Sequence, residues 1–223
     1  MDNESKYWLP LYNYAEADYL ANVSRGTSKR WLSGYHYRRT GRHVTQPPVT
    51  QRIRREEIGV SFIDLVEIVA IGRLKSYGFH LTQIRQIVAT CQKWLETTRP
   101  LVTLKFKIGG KEIFVSKGDQ LLEVGRRRGM HAWNEILEPF LEELDYTDEH
   151  ASRWWPLGKA NPIVIDPDYG YGFPVIVNSG VRTETILERV QAGELLRQIA
   201  EDFNLEPVDV ERALQFELSR AAA

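Results

Sequence analysis

The chain has a single cysteine, Cys91, among its 223 residues. A disulfide framework or a cysteine-rich zinc site needs several thiols at defined spacing, so both are excluded and a reducing compartment fits. No run of about 18 uncharged apolar residues occurs that could cross a bilayer, and Met1 to Tyr14 mixes charges with aromatics. A cytoplasmic protein with no membrane association is expected. The five histidines, His36, His43, His80, His131 and His150, are scattered, and none belongs to an HExxH or a His/Cys cluster. Gly109-Gly110-Lys111 lacks the glycine spacing and the following Ser or Thr of a phosphate loop. Adjacent carboxylates such as Glu56-Glu57 and Glu142-Glu143 lie in polar contexts, where solvated helix faces are far commoner than acid/base pairs. No catalytic constellation, metal site or cofactor is expected, and the chain reads as a non-enzyme.

What is present is charge sorted by region. The net charge of −1 hides this, because an electrostatic footprint belongs to a surface and not to an average. From Ser24 to Arg55 there are nine basic residues (Arg25, Lys29, Arg30, Arg38, Arg39, Arg42, Arg52, Arg54 and Arg55) and no acidic one. That segment should seek polyanions. From Met130 to His150 there are seven acidic residues and no Lys or Arg, and from Glu184 to Glu217 nine acidic residues face three basic ones. Those regions should avoid DNA.

With 43% apolar residues the chain can build packed cores, and its length suits two or three small domains. The expected class is α+β, mainly helical, with domains at 1–99, 100–160 and 161–223. Tyr14 to Ala21 reads as a short helix, and Ser24 as the N-cap of a second one running to about Leu32. Gly41, Pro47 and Pro48 among aromatic and basic residues suit an extended wing. Ser61 should cap a helix to Tyr77-Gly78 that is apolar on most of its circumference, hence central in a core or shared with a second subunit. Leu81, Ile84, Ile87, Val88, Cys91 and Leu95 form one stripe of the next helix, which places Cys91 in the core. Leu101 to Ile108, Gly109-Gly110 and Lys111 to Val115 have the alternation and two-residue turn of a β-hairpin. Trp133 to Leu144 is acidic and periodic, with Pro139 either kinking a helix or near its start. Short strands at Ile163 to Ile165 and Pro174 to Val177 precede three helices, separated by Gly193 and Asn204.

A helix-turn-helix places the N-terminal residues of its second helix against base edges while a wing grips phosphate. Here Val23 and Trp31 would lock the second helix onto the core and leave Arg25, Lys29 and Arg30 outward. Arg25 and Lys29 are the candidates for base contact, with Thr27 beside them. Tyr35, His36, Tyr37, Arg38, Arg39 and Arg42 interleave aromatics with cations as a wing should; the alternative is a solvated basic loop. The stretches Tyr14 to Ser24 and Thr27 to Trp31, then Val60 to Glu67 and Tyr77 to Arg85, resemble the two helical pairs of a MerR-like winged helix-turn-helix. Ser28 stands where that family usually places an apolar residue.

At the other end, Asp166-Pro167, Gly172 to Ile176, Gly180, Arg182, Ile186-Leu187, Ala192 to Glu194, Ile199 to Phe203 and Leu205 to Val210 resemble the domain-of-unknown-function 433 family. A MerR-like N-terminus fused to such a domain resembles VapB-type antitoxins. The resemblance implies operator DNA and a PIN-like ribonuclease toxin as partners, with Arg182, Glu188, Glu194, Glu201, Asp202, Asp209 and Glu211 as toxin-binding candidates. Charge points the same way, since an acidic module can cover a basic RNA-binding surface. A homodimer is expected because operators are commonly palindromic. The competing expectation is a MerR-like regulator whose C-terminal half senses a small molecule or only dimerises.

Overall fold

Two reciprocal capping boxes start the helices that organise the N-terminal half. In the computed structural model, which describes residues 5–50, 59–121 and 131–221, a single turn α1 (Ser5–Trp8) and strand β1 (Pro10–Tyr12) lead to the first box. Asn13 accepts from the N–H groups of Ala15 and Glu16 at 2.8 and 2.9 Å, and Glu16 accepts from that of Asn13 at 2.7 Å. This opens α2 (Tyr14–Leu20), which is followed by α3 (Thr27–Ser33), strands β2 (Tyr35–Arg39) and β3 (Arg42–Gln46), and β4 (Val60–Ser61), antiparallel to β1. The second box joins Ser61 and Asp64, at 3.1 Å in each direction, and starts α4 (Phe62–Ser76). As expected, α4 is buried nearly all round, with Phe62, Ile63, Leu65, Val66, Ile68, Ile71 and Leu74 inaccessible. Helix α5 (Leu81–Leu95) buries Ile84, Ile87, Val88, Cys91 and Leu95 along one stripe. Burial pushes the Cys91 thiol up to about 12, which makes it an inert core residue.

The hairpin expected around Gly109-Gly110 is replaced by a helix. A 3₁₀ turn at Pro100–Val102 leads into α6 (Leu104–Leu121), with both glycines in its interior. The alternation that suggests a strand also contains a helical stripe, since Phe106, Gly110, Ile113 and Phe114 are the buried positions among the residues described from Leu104 to Phe114. The glycines serve close approach: a Cβ on Gly109 would lie 2.9 Å from the Trp94 ring, and one on Gly110 would clash outright with that of Trp133. Each glycine costs a helix about 0.5–1 kcal/mol relative to Ala. Burying an indole of about 200 Å² at about 25 cal/mol per Å² stabilises by up to roughly 5 kcal/mol, so the packing wins. Gly110→Ala should therefore lower stability by about 1–3 kcal/mol in a urea titration, although Ala is the better helix former. A more stable variant would show that Trp133 does not sit against this helix.

A π-helical turn (Ala132–Leu137) runs into α7 (Glu138–Glu142), whose second residue is Pro139. The wide turn precedes a residue that has no N–H to donate. The ribbon of the middle region lies at β5 (Leu144–Thr147) and β6 (His150–Trp154), with Asp148 in the left-handed region between them. The chain packs as two units. One holds the described residues of 8–141 and 146–151; the other holds those of 5–7, 142–145 and 152–221.

In the second unit β7 (Ile163–Val164) pairs antiparallel with β8 (Val175–Ile176), followed by α8 (Thr183–Gln191), α9 (Leu196–Phe203) and α10 (Pro207–Ala221). Gly193 and Asn204, both at positive φ, end the first two, as expected. Ile163, Ile176, Ile186, Ile199, Ala200, Val210, Ala213 and Phe216 form the core. Leu195 is 66% exposed because it holds the extended N-cap position of α9, outside this core. Among the described residues no helix is long and apolar enough to cross a membrane.

Candidate nucleic-acid interface

Helices α2 and α3 are joined by a turn through Asn22 and Gly26, both at positive φ. The second helix starts later than expected: Gly26 and not Ser24 is its N-cap, and Ser24 contributes only its carbonyl, which accepts from the N–H of Thr27 at 3.0 Å. Glycine has no side chain to cap with, so the cap comes from α2. The buried Asp18 carboxylate accepts from the N–H groups of Gly26 and Ser28 at 2.5 and 2.7 Å. These are charge-assisted bonds at the positive end of a helix, and they fix the angle between the two helices. Ser28 is wholly buried and its hydroxyl has no partner among the described residues, and α3 buries Trp31 and Leu32. Arg25, Lys29 and Arg30 are exposed, as expected. Thr27 is buried, and its hydroxyl accepts from Arg30 at 3.1 Å, so it orients Arg30 and is not itself displayed.

Strands β2 and β3 form the wing, paired from Tyr35↔Gln46 to Arg39↔Arg42. Thr40 and Gly41 make the two-residue turn, both with positive φ, as the twist of a tight hairpin requires. Tyr35 and Tyr37 lie along one face with ring centroids 5.9 Å apart. On the other, His36 meets Thr45 at 2.9 Å and Arg38 donates to His43 at 3.3 Å. Arg38 and Arg42 are exposed. At the wing's base Gly34 has φ 72°, and a Cβ there would lie 2.5 Å from the Gln46 carbonyl oxygen, so only glycine lets the two strands close. Arg52, Arg54 and Arg55 lie outside the described residues.

The segment that leaves the wing is tied to three helices. The Val49 N–H donates to the Trp31 carbonyl on α3 at 2.7 Å, and Arg85 on α5 donates to the carbonyls of Pro47 and Pro48 at 2.7 and 3.3 Å. The Thr50 hydroxyl donates to Glu67 on α4 at 2.5 Å. Glu67 and Asp64 in turn clasp Arg99, from the connector after α5; its bond to Asp64 is 2.5 Å, and all four residues are buried. Burial raises the Glu67 pKa, which Arg99 and Thr50 oppose without cancelling. Burial alone would lower that of Arg99, but Glu67 and Asp64 more than offset it and keep the cation charged. Neither this cluster nor Asp18 is among the residues expected from sequence. The available signal was Asp64 and Glu67, two charges one turn apart in the otherwise apolar stretch Phe62 to Ile71 of α4.

In the second unit the expected toxin-facing residues are spread over three helices. Arg182 precedes α8, its guanidinium 4.6 Å from the Phe173 ring and 3.4 Å from the Gly170 carbonyl. Glu194 and Asp202 converge on Arg189, at 2.9 and 3.0 Å from its Nε to Glu194 and 2.5 Å from Nη2 to Asp202. Hydrogen bonding to Arg189 holds the Glu194 carboxyl below its ordinary range. Glu201 pairs with Arg197 at 3.0 Å, Asp209 is half-buried, and Glu188 and Glu211 are exposed. The acidic face is thus partly neutralised by cations of its own.

Two helices with a capped turn and a pinned β-ribbon are the parts of a winged helix-turn-helix. Residues 10–88 match the family described as "Putative DNA-binding HTH domain", and residues 163–216 match "Protein of unknown function (DUF433)". Over its length the chain is similar to the "Putative antitoxin VapB45" of Mycobacterium tuberculosis, at 27% identity with 95% of each chain covered. It is also similar to the "Uncharacterized protein Rv2308" of the same organism, at 26% identity over 92% of this chain and 89% of that one. The crystal structure of Rv2018 from M. tuberculosis shares the fold, with a TM-score of 0.69 and 23% identity over 92% of this chain and 98% of that one.

Proposed function

We propose that this protein is the antitoxin and autorepressor of a type II toxin–antitoxin pair, cytoplasmic and homodimeric, with a MerR-like manner of holding DNA. Its operator meets α3 and the wing, and its C-terminal domain neutralises a PIN-like ribonuclease toxin. The observation that carries this is the joining, in one chain, of a helix-turn-helix with exposed Arg25, Lys29, Arg30, Arg38 and Arg42 to a separate helical domain rich in carboxylates. The name of the full-length relative from M. tuberculosis supports it. Cations on α3 and on the turn before it read guanine edges, and those on the wing neutralise phosphates. Carboxylates on α8 to α10 oppose the basic surface that a ribonuclease needs for RNA, so they speed its capture and compete with its substrate.

The test is co-expression with the adjacent reading frame, followed by co-purification and a mobility-shift assay on the upstream DNA. Reversing Glu188, Glu201 and Glu211 to Lys, which leaves the Arg189 clasp intact, should slow toxin association about tenfold or more at low salt and relieve inhibition. Operator binding should not change. Unaltered inhibition by this triple variant would remove the C-terminal helices from the toxin interface.

A second reading, a regulator that senses a small molecule, has one observation in its favour. A cleft of about 210 Å³ in the second unit is lined by Arg153, Trp155, Val164, Asp166, Tyr169, Val177 and Asn178. Small-molecule sites commonly hold roughly 300–1,000 Å³, and the cleft's ion pair, Arg153 to Asp166 at 2.6 Å, is already closed, so the antitoxin reading is preferred.

A further inference from the structure

We infer that Thr50, held by the buried Glu67–Arg99 pair, is a positioning residue for DNA binding: it sets where the wing stands relative to α3. The inference rests on the DNA-binding reading above and assigns a role to residues that touch no DNA.

Thr50 lies four residues beyond Gln46, the last residue of the wing, and the intervening chain is Pro47, Pro48 and Val49. Two consecutive prolines lock their φ angles, so a displacement at Thr50 is passed to the wing and not absorbed on the way. The hydroxyl of Thr50 is fully used, donating to Glu67 at 2.5 Å and accepting from Arg99 at 3.4 Å. Val49 fixes the same segment to α3 through Trp31, and Arg85 fixes it to α5 through the two proline carbonyls. The wing therefore leaves the fold on a short, stiff strap with a defined register to the recognition helix.

The cluster is a poor device for stability alone. Among the described residues Glu67 Oε1 and Arg99 Nε are buried without a partner, and burying charges costs several kcal/mol per ion, which an apolar core of the same volume would not incur. What an apolar core would lack is direction. A hydroxyl bonded to a fixed carboxylate defines a position to within a few tenths of an ångström, whereas methyl packing tolerates sliding. Wing cations that reach phosphates need that definition, because the spacing of phosphates along the groove is fixed by the duplex.

The experiment compares wild type, Thr50→Val and Thr50→Ser in the full-length protein. Val keeps the shape and removes the hydroxyl; Ser keeps the hydroxyl. Binding is measured on the chain's own upstream DNA and on an unrelated duplex of equal length, across a salt titration, with hydroxyl-radical footprints. Thr50→Val should bind the upstream DNA about tenfold more weakly, with the outermost protections gone from the footprint and a salt slope lower by about one for each phosphate that the wing no longer neutralises. Thr50→Ser should stay close to wild type in all three. If circular dichroism shows Thr50→Val partly unfolded at the assay temperature, Glu67→Gln, which preserves shape and weakens the tie, should give the same pattern. Equal behaviour of Thr50→Val and wild type, or an equal weakening in Thr50→Ser, overturns the positioning role while leaving DNA binding in place. No preference of wild type for its upstream DNA would overturn the DNA-binding reading, and this inference with it.

Discussion

Arg99→Met should lower the unfolding free energy by about 3–5 kcal/mol at neutral pH, the largest single-residue effect expected in the N-terminal unit. Arg99 is 1% exposed and pairs with both the Asp64 and the Glu67 carboxylate, so its removal takes a buried counter-charge from each. The destabilisation should depend on pH in a definite direction. The folded pKa of Glu67 is raised by burial and held back by Arg99. A carboxyl raised in the folded state contributes stability that is fully present below the ordinary carboxylate range and is lost as pH rises through its folded pKa. Without Arg99 that folded pKa rises further, so more stability is lost between acid and neutral pH. Urea titrations over that interval should show wild type and variant converging towards acid and separating towards neutrality. A gap that does not change with pH would mean that Glu67 is not the acid left uncompensated. Adding Glu67→Met to Arg99→Met should recover part of the stability, because the more deeply buried of the two carboxylates is then gone.

This cluster also marks where reading the sequence stops. Capping and periodicity are local, so Ser61 as a helix start, the all-apolar circumference of α4 and the core placement of Cys91 were legible without a structure. The wing was legible too, because Gly41, Pro47 and Pro48 admit few backbone conformations. What could not be read is contact between distant residues. Arg99 meets partners 32 and 35 residues away, and Asp18 caps a helix that begins nine residues later. The misread hairpin has the same origin. Gly109-Gly110 between alternating residues fits a turn by every local rule, and only the indoles of Trp94 and Trp133 lying against those positions favour a helix. At the candidate interface, sequence located the exposed cations of α3 and the wing but grouped Thr27 with them, although it is buried beneath Arg30. In the C-terminal unit, carboxylates counted as a free acidic face proved to share Arg189 and Arg197, a pairing that net charge does not reveal.

Arg25→Ala with Lys29→Ala should cost about 1–3 kcal/mol on the operator for each base edge that is no longer read, and should leave binding to unrelated duplexes nearly unchanged. Both residues are exposed; Arg25 lies in the turn and Lys29 in the first turn of α3, whose opposite side is fixed by Trp31 and Leu32. Arg38→Ala with Arg42→Ala, on the wing, should instead weaken binding to every sequence and reduce the salt slope by about 0.9 for each phosphate left unneutralised. Arg39 stands opposite Arg42 in the ribbon register, so adding Arg39→Ala should extend the same trend. The distinction follows from geometry: a groove admits a helix and places its side chains at base edges, whereas a ribbon beside it meets the phosphate backbone first. Isotherms on specific and unrelated DNA at several salt concentrations separate the two effects, since base reading changes the ratio of affinities and phosphate neutralisation changes the slope. If both sets changed the ratio alike, or both changed only the slope, α3 would not be the reading element and the wing would not be the grip.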